Sequence, residues 1–183
     1  MGLLKDNITL RNSIKGKLST ILSIIDYIEE NIANDLVDWF VKQAEHYDKQ
    51  FNNKRFHKLP DNMTRGDIVL ADLGMNIHPE LSDSGTDKHF VLIWGQQGQN
   101  FIVIPLTKHP QPTYNKYGLN LGKIAGLPTD NDTYAKIDAI RSISLRRIYR
   151  IKEQPNGKIV ISDIALLESI SNIFEAEFVI KNS

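Results

Sequence analysis

The chain contains no cysteine, so neither a disulfide framework nor a thiolate metal site can be built from it. That absence agrees with a reducing compartment, and the expected location is the cytoplasm. A long apolar run is also missing. The most apolar N-terminal stretch, LSTILSIIDYI, is broken by Ser, Thr and Asp, too polar for a membrane span and without a signal-peptide cleavage pattern. In MGLLKD, Asp6 stands where a myristoylation motif needs Ser or Thr. An overall charge of one sign is lacking too. The 22 Lys and Arg balance 22 Asp and Glu, which argues against a grossly basic nucleic-acid binder. No internal repeat or low-complexity tract interrupts the 183 residues, a length that suffices for one well-buried core and a smaller accessory unit.

The balance of charge is uneven along the chain. Between Phe101 and Lys152, nine Lys and Arg face three Asp, a local net charge of +6. Such an excess suits an anionic partner with a limited footprint. It equally suits a solvated face whose acids come from other segments.

Residues 4 to about 50 carry helical spacing. Leu18, Ile21, Leu22, Ile25 and Ile28 form one stripe. Leu36, Phe40 and Ala44, with Val37 and Val41 beside them and Trp39 at the margin, form a second. NNKRFHKLPDNMT, Asn52 to Thr64, has no period and contains a proline, so it reads as a linker. The expected organisation is a helical extension with linker over 1–58 and a barrel domain over 59–183.

From Arg65 the pattern changes to short strands. GDIVLADLG alternates, and MNIHPELSDSGTDK follows as a long polar loop. FVLIW and FIVIPL flank the polar GQQGQN, which predicts two strands joined by a tight turn. YGLNLG and TYAKIDAI are further strand candidates. SISLRRI reads as a turn or short helix, and YRIKE with KIVIS as a hairpin around PNG. SDIALLESISNIF closes the pattern as a helix, with Ser162 as its N-cap and Leu166, Leu167, Ile170, Ile173 and Phe174 on one face. Several short strands sealed by a helix predict a mainly β fold with a helical N-terminus (α+β), a small β-barrel closed by a C-terminal helix.

Five segments occur in order: RGDIVLADLG, NIHPE, KHFVLIW, IPLT and IDAIRSISLRRI. This series resembles the PemK/MazF-like toxins of toxin–antitoxin modules, most closely the longer members with helices before the barrel. The similarity runs from about Leu59 to Ile148 and is weak over the first fifty residues. It implies an SH3-like barrel, ordinarily a homodimer, that cleaves single-stranded RNA at selected sequences without a metal. The ribose 2′-hydroxyl attacks the adjacent phosphorus, leaving a 2′,3′-cyclic phosphate and a 5′-hydroxyl. That reaction needs a base, an acid, and donors for the crowded phosphorane.

The resemblance assigns residues to these tasks. Lys88 stands where shorter members have Arg, and it brings charge without Arg's bidentate fork. His89 follows it, the side chain best poised to exchange a proton near neutrality. Thr107 matches the hydroxyl that meets a non-bridging phosphate oxygen. Pro105 before it denies one ladder donor, which predicts an edge or a bulge there. Lys136 and Asp138 hold positions that in some members carry an acid and a base, and strand alternation puts them on one face. A lateral salt bridge explains that pair equally well. Arg65, His78, Glu80, Lys108, His109 and Arg141 complete the expected RNA contacts, Arg141 with the alternative of a buried ion pair. Arg146 and Arg147 read as surface charge.

One departure is plain: His78-Pro79-Glu80 replaces the family's Gly-Ser-Glu in a longer loop, which implies altered base selection. His78, Glu80, Asp83, Asp87 and His89 lie close in sequence but match no helix-based metal pair. No metal and no cofactor is expected. The expected partners are single-stranded mRNA and a protein antitoxin that lays an acidic, aromatic segment over the RNA groove. A second reading is a non-cleaving barrel of the same fold that binds RNA or a protein such as DNA gyrase.

Overall fold

The structure is a computed structural model that describes residues 2–51, 57–74, 88–110, 117–128 and 130–177. The chain divides into two compact units, Met1–Glu45 and His46–Ser183.

The first unit holds helix α1 (Ile8–Ile25) and most of α2 (Glu30–Phe51). Asn7 caps α1, its side-chain oxygen accepting from the Leu10 N–H at 2.9 Å. The expected apolar stripes are only partly covered. Ile21, Ile25 and Ile28 are half-buried, whereas Leu18 and Leu22 are exposed and α1 buries no residue fully. On α2, Leu36 and Trp39 are half-buried while Val37, Phe40, Val41 and Ala44 face solvent. Helical spacing indicates which residues share a face. It does not supply enough surrounding chain to cover that face.

The second unit is a mixed α+β fold, an eight-stranded antiparallel sheet with helix α3 (Ile164–Glu177) at its end. The strands are β1 (Asp67–Ala71), β2 (His89–Gln97), β3 (Asn100–Thr107), β4 (Gly118–Gly122), β5 (Thr133–Lys136), β6 (Arg141–Ser144), β7 (Ile148–Tyr149) and β8 (Ile159–Val160). Their order is β4-β5-β3-β2-β1-β7, with β6 paired to β3 and β8 to β1. A 3₁₀ turn, Leu145–Arg147, links β6 directly to β7. Because β6 pairs with β3 and β7 with β1, the path β1–β2–β3–β6–β7 returns to its start and closes a small barrel.

The β2–β3 hairpin forms as its sequence predicts. Gln97 pairs with Asn100 across Gly98-Gln99, and Gly98 has φ of +60°, the first central position of a type II′ turn that glycine fills without strain. The register shifts between Ile93 and Gly95, which makes Trp94 the extra residue of a bulge. Pro105 lies neither on an edge nor in a bulge. β3 pairs with β6 through Asn100–Val103 and with β5 through Leu106 and Thr107. Pro105 falls in the gap where β3 changes partner, so its missing N–H costs no ladder bond.

Alternation along β1–β3 separates two apolar cores. Ile68, Leu92, Ile104 and Leu106 join Ala135 and Ile170 on one face, while Val69, Val91, Val103 and Phe101 join Ile143 and Ile148 on the other. α3 packs on the first core through Leu166, Leu167, Ile170, Ile173 and Phe174, the face its spacing predicts. Its cap differs: Asp163 Oδ1 accepts from the Ala165 N–H at 2.9 Å, so Asp163 rather than Ser162 starts the helix. YRIKE and KIVIS do not form a two-stranded hairpin. β7 and β8 both pair with β1, one beyond the other along the same edge. The chain between them still folds back, with the Ile151 N–H donating to Gly157 O at 2.9 Å.

Candidate functional site

β2 and β3 run antiparallel with Val91 opposite Pro105, so the start of β2 and the end of β3 fall together. His89 and Thr107 each lie two residues beyond that pair. Side chains two apart share a face, which puts His89 and Thr107 on one side of the sheet. Across β3, Thr107 pairs with Tyr134. Lys136, two residues further on, lies on that side as well. A hydroxyl and an imidazole thus stand on one side of the sheet where β3 stops, and the Lys136 ammonium lies on that same side, level with Pro105. All three residues are half-buried, and Lys108 and His109 beside them are exposed.

The Thr107 hydroxyl is oriented by its own turn. Its Oγ1 accepts from the His109 N–H at 3.2 Å, which leaves the hydroxyl proton to donate elsewhere. On the opposite side of the sheet, Phe90, Leu106 and Thr133 line a cavity of about 270 Å³ with Leu127 and Pro128; Thr107 and Lys108 stand at its rim.

Other expected site residues stand elsewhere. The Lys88 ammonium lies 4.3 Å from the centre of the Tyr149 ring, a cation–π contact that directs its charge toward that ring. The Tyr149 hydroxyl donates to Asp72 Oδ2 at 2.7 Å, and His57 stacks on the Tyr149 ring at 4.3 Å. His57 Nε2 is hydrogen-bonded to Ile148 O; since a carbonyl only accepts, that nitrogen carries the proton. Asp72 is fully buried, with His46 Nε2 at 3.4 Å from its carboxylate. The Arg147 Nε–H donates to Asp72 O at 2.7 Å. Arg147 is therefore a structural tie between β1 and β7 rather than a surface charge.

Arg65 sits 3.8 Å from the centre of the Trp94 ring and donates to Ser171 Oγ at 2.7 Å, on the α3 side of the barrel. Arg141 is half-buried, its Nε–H donating to Ala139 O at 3.3 Å. β5 ends at Lys136, and Asp138 lies exposed in a 3₁₀ turn, Ile137–Ala139. The strand alternation expected to align Lys136 with Asp138 therefore stops short of Asp138. His78 and Glu80 lie outside the described residues, as do Asp83 and Asp87.

Tyr149, Asp72 and His57 were not legible as site neighbours. ADLG and YRI read as ordinary strand segments, and His57 falls in the linker pattern. No protein-family model matches this chain, nor does any curated protein.

Proposed function

We propose that this chain is the toxin of a toxin–antitoxin module, a metal-independent endoribonuclease that cuts single-stranded mRNA at selected sequences. The observation that carries the reading is the register that puts His89, Thr107 and Lys136 on one side of the sheet, His89 and Thr107 where β3 ends and Lys136 level with Pro105. The ordered PemK/MazF-like segments agree with it. Thr107 donates its proton to a non-bridging oxygen of the scissile phosphate, and Lys136 and Lys108 balance the charge that grows there. The 2′-oxygen loses its proton as it bonds to phosphorus, and the 5′-oxygen takes one up as its bond breaks. His89 serves as a proton carrier in this exchange. No helix among the described residues is long and apolar enough to cross a membrane, and the proposed place of action is the cytoplasm, as a homodimer held in check by an antitoxin.

The test is incubation of the purified protein with a long single-stranded RNA in EDTA, followed by mapping of the ends. Discrete cuts bearing 2′,3′-cyclic phosphates are expected. Thr107→Ala should lower the rate at least ~100-fold, the scale of removing one transition-state donor. No cutting by folded, antitoxin-free protein would overturn the reading. The contact between Lys88 and Tyr149 favours one alternative, a barrel that binds RNA or a protein such as DNA gyrase without cleaving. Retained RNA binding without any cutting would select it.

A further inference from the structure

We infer that the cavity beside Thr107 receives one unstacked base of the bound RNA, the base of a nucleotide whose phosphate rests on Thr107 and Lys108. The inference rests on the RNA reading above and adds a base-recognition site that the strand-end chemistry does not require. Four features carry it. The cavity volume, about 270 Å³, lies just under the ~300 Å³ at which drug-sized sites begin, which suits a single planar ring system. Its walls are Phe90, Leu106, Leu127 and Pro128, apolar and with an aromatic ring that can stack on a base whatever its identity.

At its rim stand Thr107, whose side chain belongs to the other face of the strand end, and the exposed ammonium of Lys108. That is the complement of a phosphate attached to a buried apolar ring.

The fourth feature is Thr133. It is only 3% exposed and brings a polar side chain to the cavity wall. A base edge entering the cavity meets its hydroxyl, which can donate to a ring nitrogen or carbonyl or accept from an exocyclic amine. Leu127 and Pro128 belong to the β4–β5 connection, so that connection, and not only the strand ends, takes part in choosing the base.

The experiment titrates the full chain with the four nucleoside 3′-monophosphates and, separately, with inorganic phosphate, following backbone amides by NMR. With at least one nucleotide, the amides of Leu127 and Thr133 should move together with those of Thr107 and Lys108. Inorganic phosphate should move only Thr107 and Lys108. Leu127→Trp, which fills the cavity from an outer loop, should weaken the best nucleotide roughly ten-fold while leaving the phosphate response intact. Thr133→Val, of equal shape, should narrow the preference among the four bases. Should its fold suffer, Phe90→Leu keeps an apolar wall without the stacking ring and should weaken all four nucleotides. Nucleotides that move Thr107 and Lys108 but never Leu127 or Thr133 would overturn the base site and leave the ribonuclease reading standing. If neither ligand moves Thr107 or Lys108 and no RNA is cut, both fail together.

Discussion

The Tyr149 hydroxyl donates to Asp72, a carboxylate without solvent exposure, and its ring carries His57 and Lys88. Removing that hydroxyl takes a donor from a buried charge, so Tyr149→Phe should destabilise the second unit by about 1–3 kcal/mol. The urea midpoint would show it, and an unchanged midpoint would mean that Asp72 finds another donor at no cost. Thr107 is used differently. Its hydroxyl accepts from the turn that follows β3 and keeps its proton free, so Thr107→Ala should spare stability and abolish cleavage. At this scale the strand end was readable, because Thr107, Lys108 and His109 follow an apolar run. The partner of Lys88 was not, since Tyr149 comes to it through β1, some sixty positions away in the chain.

Element boundaries follow local chemistry where the deciding atoms are close in sequence. Gly98 marks the hairpin, and the apolar spacing of α3 marks its buried face. The N-cap moved by one residue because both Ser162 and Asp163 can cap, and only Asp163 meets the Ala165 N–H. Asp163→Ala should cost about 1 kcal/mol, against a negligible loss for Ser162→Ala. Equal losses in thermal melts would contradict the assigned cap.

Gly66 has a stronger constraint. Its φ is +93°, and an added Cβ would meet Leu167 Cδ1 at 3.1 Å. Its N–H donates to Ile93 O and its carbonyl accepts from the Ile161 N–H, both at 3.0 Å. Gly66→Ala is therefore strained by roughly 1–3 kcal/mol, and loosening of α3 should accompany it in hydrogen exchange. An alanine variant with wild-type stability would show that this backbone relaxes.

Over the whole molecule, the +6 stretch is partly neutralised by an acid from another segment. Arg150 pairs with Asp61 at 2.9 Å, so the basic excess is smaller in space than in sequence. Lys108 remains exposed at the strand end. RNA affinity should fall with salt, and Lys108→Ala should reduce the slope of log affinity against log salt by about 0.7, the share of one single-strand phosphate. Binding measured across a salt series checks it, and an unchanged slope would remove Lys108 from the interface.

The sequence by itself determined the class of fold: helices first, then short antiparallel strands and a closing helix. It also determined the β2–β3 hairpin and the apolar face of α3. These depend on neighbours within a few residues, where periodicity, turn glycines and caps act. Only the tertiary structure decided that β7 and β8 share an edge of β1 and that Pro105 sits between two partner strands. It alone closed the Phe90–Thr133 cavity from three separate segments. Such outcomes depend on which distant strands meet and in what register, and a one-residue slip there turns every side chain to the other face.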